Sequence, residues 1–133
     1  MIGFRALVNP MSEFTPTANI FKALMHPARL SILEILRDGE QCVCHLEAVL
    51  ECRQAYISQH LMVLREAGLV EDRRDGARIF YKVTKPEVFD LVDAAIRMSG
   101  VEPIPARDSR VKDCPCPKCN PVAESIALKE EAL

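Results

Sequence analysis

Apolar residues recur at helical spacing along the first half of the chain, and the breaks between these stretches fall at proline, glycine or short polar runs. Apolar positions at i, i+3, i+4 and i+7 are typical of a helix with one face against a core. Thr15 followed by Pro16 suits a helix start, with Thr15 as the N-cap, and Asp38-Gly39 suits a helix end. The pattern predicts four helices, over residues 15–25, 27–38, 44–50 and 54–67.

From Leu69 onward the period changes, and a strand, a turn and a second strand follow. The predicted strands, 69–74 and 77–83, flank Asp75-Gly76, a dipeptide that strongly favours a tight hairpin turn. A last helix is predicted over 86–99 and ends at Gly100, and apolar residues cover most of its circumference. So broad an apolar surface indicates burial against a partner subunit.

A chain of 133 residues, 49% apolar and 27% charged, is long enough for one domain with a modest core. We predict an N-terminal arm (1–14), a folded domain (15–99) and a tail (100–133) that holds five of the nine prolines. No apolar run approaches the roughly 18 residues that span a bilayer, and the first residues lack the pattern of a signal peptide. These features predict a cytoplasmic protein with no membrane partner.

Two helices joined by a short turn and followed at once by a hairpin are the parts of a winged helix-turn-helix. We therefore predict a mainly helical fold with a β-hairpin wing, in which the helix over 54–67 reads DNA. The net charge of −2 does not indicate a nucleic acid partner, but residues 53–82 carry six basic and four acidic side chains. Ile57, Leu61 and Leu64 are expected to face the core, which leaves the polar positions for base edges and phosphates. The predicted DNA-binding residues are Gln54, Tyr56, Ser58, Gln59, His60, Arg65, Arg73, Arg74 and Arg78.

These polar residues also suit a solvated helix face and a soluble hairpin, and it is the order of the elements that favours a DNA reader. Taken alone, His60 is more typical of a surface or packing histidine than of a base contact.

Four stretches of the chain resemble the ArsR/SmtB family of metal-responsive repressors, within about residues 18–98. They are HPARLSIL (26–33) at the start of the second core helix, QCVCHL (41–46) as the metal box, 57–70 as the recognition helix and 73–81 as the wing. The resemblance implies a homodimer that covers double-stranded operator DNA when metal-free. It also implies that a toxic metal or metalloid releases the repressor.

The chain departs from the family pattern at three places. Glu47 stands where the arsenic-type branch has a third cysteine, so a local three-sulfur site is incomplete. The helix over 86–99 contains no histidine, so the interface site of the zinc-type branch is not expected. Arg53 stands where members often carry a capping serine, which leaves the cap of the reading helix open.

Six cysteines are unusual for a chain predicted to lie in a reducing compartment, and they favour metal ligation or redox chemistry. Cys42 and Cys44 lie at a predicted helix start, where the helix dipole favours thiolates. Because soft ions are held by three or four thiolates, the tail cysteines Cys114, Cys116 and Cys119 are predicted to complete the site. The expected inducers are Cd(II), Pb(II), Zn(II) or As(III).

Other interpretations of the cysteines stay open. The tail cysteines could form a separate structural zinc site, or reversible disulfide formation could make the protein a redox-responsive repressor. Cys42 and Cys44 could also pack simply as small apolar groups. Cys52 is expected to be inert, and His45 is expected to point away from the cysteine pair toward solvent.

A thiol-disulfide oxidoreductase using Cys116 and Cys119 is the rival from another class. A catalytic Cys-x-x-Cys normally begins a helix beside a sheet, whereas this one lies in a proline-rich tail, so we predict that the protein is not an enzyme.

Overall fold

A computed structural model of the chain describes residues 10–102. Residues 1–9 of the predicted arm and the tail from residue 103 onward, with Cys114, Cys116 and Cys119, lie outside the described residues. Within 10–102 the elements in chain order are α1 (Pro10–Glu13), α2 (Thr15–Leu24), α3 (Pro27–Leu36), β1 (Gln41–Cys42), α4 (Val43–Leu50), α5 (Gln54–Glu66), β2 (Val70–Asp75), β3 (Arg78–Val83) and α6 (Glu87–Ser99). No helix in this range is long and apolar enough to cross a bilayer.

The starts of α2 and α3 differ in their capping. α3 begins at Pro27, and the Nδ1 atom of His26 accepts a hydrogen bond from the backbone N–H of Ala28 at 3.0 Å. The prediction that Thr15 caps α2 is wrong, because Phe14 occupies the cap position and accepts a backbone hydrogen bond from Ala18 at 2.8 Å. The short helix α1, inside the predicted arm, leads the chain directly into this turn.

The core is formed where α3, α4, α5 and α6 meet, and the predicted inward face of α5 is confirmed. Burial of these side chains is the main stabilising term, since transfer of apolar surface from water is favourable by about 25 cal/mol per Å². On α6 the expected broad apolar surface is only partly enclosed by the described residues, since Met98 at its end is exposed. The buried residues of these four helices include Ile32, Leu33, Leu36, Leu46, Ile57, Leu61, Leu64, Val88 and Val92.

The sheet has three antiparallel strands in the order β1-β3-β2. The hairpin is present as predicted, but its two-residue loop is Gly76-Ala77, one residue later than expected, because Asp75 pairs with Arg78. Gly76 takes a φ of 61°, a left-handed conformation that favours glycine. β1 was not predicted, because two residues are too few to show an alternating pattern.

Candidate functional site

Cys42 and Cys44 form the centre of the site. Cys42 is both the last residue of β1 and the N-cap of α4, and Cys44 lies in the first turn of that helix. The two are joined by a disulfide, Cys42 is only 1% exposed, and its Sγ accepts a hydrogen bond from the backbone N–H of His45 at 3.3 Å. The sulfur atoms therefore converge at a helix start, where backbone N–H groups stabilise an anionic thiolate in the reduced protein.

A shallow cleft connects this cysteine pair to the elements predicted to bind DNA. Its walls come from the start of α4, from the first residue of α5 and from the tip of the wing. The cleft is lined by Cys42, Val43, Cys44, Glu47, Gln54, Ala77, Arg78 and Ile79. Metal binding or oxidation at the sulfur atoms would thus take place beside both α5 and the wing.

His45 does not point to solvent as expected. It is 2% exposed, because α4 packs against α5 on one side and against β3 on the other. The helix α4 therefore has buried positions outside the face that carries Leu46. The apolar periodicity of α4 alone does not indicate these positions, because their burial depends on neighbouring elements. A polar side chain held in this position is part of the packing between α4 and its neighbours.

The structure divides the polar residues predicted on α5 into two groups. Gln54, Tyr56 and Gln59 are exposed and Ser58 is half-buried, so these four can reach a ligand outside the protein. The helix begins after Arg53, which makes no side-chain capping hydrogen bond, in line with the open cap in the sequence.

His60 does not lie on the exposed face, and a direct base contact is not compatible with its position in this structure. Its ring is 8% exposed and lies between the rings of His26, at 4.3 Å between centroids, and Tyr56, at 4.6 Å. Burial, together with the nearby His26 and Arg29, lowers the pKa of His60 below its ordinary value. His60 is therefore a packing residue that holds α5 against the start of α3.

The pKa shift of His60 predicts a pH dependence of stability. As the pH falls from about 7.5 to about 5.5, the unfolded chain protonates this histidine while the folded chain resists protonation, so the free energy of unfolding decreases. His60→Phe should reduce this decrease, as measured by urea unfolding across the pH range. An unchanged slope in the variant would show that His60 does not contribute.

At least two of the four predicted arginines are held by carboxylates. Arg65 pairs with Asp72 at 3.2 Å, and Arg73 donates two hydrogen bonds to Glu40, at 2.6 and 3.2 Å. Arg74 is exposed on the wing, and Arg78 is half-buried at the cleft. Phosphates that engage Arg65 and Arg73 must therefore compete with carboxylates, whose attraction is weak at exposed sites.

The sequence did not indicate the individual contacts of Glu40, Gln41 and Phe80. Gln41 is buried, and its register opposite Tyr81 follows from the unpredicted strand β1. The bidentate geometry of Glu40 with Arg73 spans 33 residues of chain, so no local pattern indicates it.

The sequence itself matches known proteins over the same elements. The family model described as "Bacterial regulatory protein, arsR family" matches residues 26–72. A biofilm growth-associated repressor of Agrobacterium fabrum is 45% identical over 80 residues, which are 60% of this chain and 68% of the relative. This chain belongs to the ArsR family. The arsenic resistance transcriptional regulator ArsR1 of Pseudomonas putida is 44% identical over 89 residues, 65% of this chain and 68% of that relative.

Solved structures of bacterial transcriptional regulators confirm the fold. The transcriptional repressor BigR from Xylella fastidiosa superposes with a TM-score of 0.60 at 39% identity and covers 66% of this chain and 91% of its own. A homodimeric winged helix-turn-helix domain from Mycobacterium bovis superposes with a TM-score of 0.60 at 29% identity, covering 68% of this chain and 83% of its own. The predicted winged helix-turn-helix is confirmed, and the protein is a DNA-binding transcriptional repressor of the ArsR family.

Proposed function

We propose that this ArsR-family repressor covers its operator as a homodimer and is released when a soft metal or metalloid ion binds the thiolates of Cys42 and Cys44. The observation that supports the proposal most directly is the position of the sulfur pair, in one cleft with Gln54 of the reading helix and Arg78 of the wing. The arsenic regulator among its relatives agrees with a metalloid inducer. Cd(II), Pb(II), Zn(II) and As(III) are the candidate inducers, because each binds thiolates.

Of the cysteines in residues 10–102, Cys42 and Cys44 are the two that come together, and Cys52 lies apart from them. Within this range no group of three histidine, cysteine or acidic side chains is placed to hold a metal ion. Soft ions need a third or fourth ligand, and we propose that Cys114, Cys116 and Cys119 provide it, from the same chain or from the partner. From Gly100 to Cys114 the chain can span roughly 46 Å when extended, at about 3.3 Å per residue.

The same proposal assigns DNA contacts to the exposed polar residues of α5 and to the wing. The exposure of Gln54, Tyr56 and Gln59 and the half-exposed position of Ser58 support contacts of these four residues with base edges and phosphates. The wing residues Arg74 and Arg78 supply positive charge beside the duplex, and Arg65 and Arg73 join them if their carboxylate partners release them.

The homodimer is supported by apolar side chains that the described residues leave exposed on the outer helices. Met11 and Phe14 lie at α1, Phe21 and Met25 at α2, and Met98 at the end of α6. A second copy seated on these helices would cover them, and the homodimeric M. bovis domain has the same fold. Two reading helices held about one DNA turn apart would then meet two half-sites.

A titration of the reduced full-length protein tests the proposed function. The DNA is a fluorescently labelled duplex that was selected for binding to the metal-free protein. Adding Cd(II) to the complex should raise the sulfur-to-metal absorption and lower the fluorescence anisotropy of the DNA in parallel. As(III), Pb(II) and Zn(II) are tested in the same way. A metal-loaded, reduced protein that holds the DNA as tightly as the metal-free protein would contradict the proposal.

A redox response is the second candidate, and the disulfide between Cys42 and Cys44 favours it. Two thiols that give up two electrons and two protons to an oxidant such as diamide would form this bond without any metal. Release of DNA by diamide in the presence of a chelator, reversed by dithiothreitol, would identify a redox-responsive repressor. Release by Cd(II) under strong reductant would identify a metal sensor.

Removal of the tail tests the origin of the missing ligands. A chain ending at residue 113 should bind Cd(II) more weakly, by about tenfold or more, because about 1.4 kcal/mol of lost ligand energy already changes affinity tenfold. Its affinity for DNA without metal should stay the same. If metal stoichiometry and release are unchanged in the shortened chain, the tail cysteines form no part of the site.

A further inference from the structure

The cysteine pair lies in a row of side chains that crosses the whole sheet. Cys42 of β1 pairs with Phe80 of β3, and Phe80 pairs on its other side with Arg73 of β2. Residues directly opposite one another in neighbouring strands present their side chains on the same face of the sheet. Cys42, Phe80 and Arg73 therefore form one cross-strand row, which connects the sulfur pair to the outer strand of the wing.

Direct contacts run along this row. Cys42 packs with Cys44, Ala48 and Phe80 in a small apolar cluster that is separate from the main core. The guanidinium of Arg73 lies over the ring of Phe80, with 4.8 Å between the Cζ atom and the ring centroid. The apolar packing of the sulfur pair thus goes to the wing rather than to the core beneath the reading helix.

The residue that precedes β1 also contacts this row. Glu40 precedes β1 and receives two hydrogen bonds from Arg73, at 2.6 and 3.2 Å, in the fork geometry that fixes the direction of a guanidinium. Besides a longer ion pair with Asp75 of its own strand, at 3.8 Å, Arg73 is held by two partners, the ring of Phe80 and the carboxylate of Glu40. Both partners are attached to the short segment that carries Cys42, one through strand pairing and the other through the chain.

We propose that Phe80 is a positioning residue that transmits the state of the cysteine pair to the wing through Arg73, which Glu40 holds over the Phe80 ring. The inference rests on the proposed function, since it requires that ion binding at Cys42 and Cys44 changes DNA affinity. When the sulfur atoms turn toward an ion, the packing of Cys42 on Phe80 changes, and the direction of Arg73 changes with it. The wing strand that carries Arg73 and Arg74 then no longer has the position beside the phosphates that it has in the metal-free protein.

Two variants test this path in the reduced, full-length protein. Phe80→Leu keeps an apolar strand residue but removes the ring that touches both Cys42 and Arg73, and Glu40→Gln removes the charge that holds Arg73. Glu71→Gln is the matched control, because Glu71 makes a similar exposed ion pair with Lys82, at 3.1 Å, across β2 and β3 in a row without a cysteine. For each variant the DNA dissociation constant is measured with and without Cd(II), and the ratio of the two is compared with the ratio for the wild type.

The expected result is a loss of coupling with little loss of binding. If the wild-type ratio lies in the usual range of about 5- to 150-fold, Phe80→Leu should lower it by about fivefold or to unity, and Glu40→Gln by about twofold. Both variants loosen Arg73, so metal-free DNA affinity should fall slightly, by no more than about threefold, because an exposed pair is worth little. Cd(II) affinity without DNA, followed by sulfur-to-metal absorption, should also stay unchanged in Phe80→Leu. If Phe80 only supported the structure of the metal site, its substitution would lower this affinity.

Each result that contradicts the inference has a different meaning for the proposed function. A wild type that responds to Cd(II) and a Phe80→Leu protein that responds equally would overturn the inference and leave the proposed function standing. Loss of Cd(II) binding in Phe80→Leu without DNA would also overturn it, because the residue would then act on the site itself. A wild type with no response to Cd(II) would overturn the proposed function and this inference with it. If thermal melting shows that Phe80→Leu is unfolded, the ratio in Glu40→Gln against Glu71→Gln decides.

Discussion

Cys44→Ser should bind DNA as the wild type does and should no longer be released by Cd(II). Serine fits the half-buried position of Cys44 at the first turn of α4, but its hydroxyl is a hard and poor ligand for a soft ion. Cys42 is the less informative position, since its sulfur also caps α4 and packs on Phe80. Release by an inducer of this type corresponds to a coupling of about 1–3 kcal/mol, and the variant should lose all of it.

Cys52→Ser is the control for this experiment. Cys52 is the free cysteine among the described residues, and its Sγ donates to the carbonyl oxygen of Leu50 at 3.3 Å, a bond that serine preserves. DNA release by Cd(II), measured by anisotropy under reductant, should match the wild type in Cys52→Ser. Release that persists in Cys44→Ser would show that Cys44 is not required for the response.

Leu61→Ala should destabilise the protein more than any surface change, by about 2–5 kcal/mol. Leu61 is 0% exposed and belongs to the apolar face by which α5 is anchored in the core with Ile57 and Leu64. Truncation removes apolar contacts and leaves a cavity that close-packed neighbours fill only in part. Urea unfolding at constant reductant measures the change in the free energy of unfolding.

Met62→Ala, at the next position of the same helix, is the matched control. Met62 is 55% exposed, so its loss should change the free energy of unfolding by no more than about 0.5 kcal/mol. Equal effects of the two substitutions would contradict the assignment of a core face and an outer face to α5. The contrast matters for function, because the reading residues can stay exposed only if the opposite face holds the helix in place.

The helices could be predicted because their periodicity is local. Ile57, Leu61 and Leu64 repeat at helical spacing, and this repeat placed them correctly in the core before the neighbouring helices were known. The Asp75-Gly76 dipeptide indicated the hairpin, although the strand register moved its loop by one residue. Boundaries depend on which backbone groups find partners, and this is less local than periodicity.

The candidate site could be predicted only in part. The Cys-Val-Cys spacing indicated a sulfur pair at a helix start, which the structure places at the N-cap and first turn of α4. The cleft that joins this pair to Gln54 and Arg78 arises from the packing of the wing beside α4, and no spacing in the chain encodes it. The metal-binding role of the pair, and of the tail cysteines, stays a proposal.

By itself, then, the sequence determined the five helices α2 to α6, the hairpin, the winged helix-turn-helix and the position of two cysteines at a helix start, because each depends on short-range spacing or on turn chemistry. Only the tertiary structure decided that β1 joins the sheet, that His45 and His60 are buried, and that Arg73 is held by Glu40 and Phe80. Those features depend on which surfaces of distant elements meet. Burial and pairing are properties of both partners of a contact, whereas periodicity describes one segment at a time.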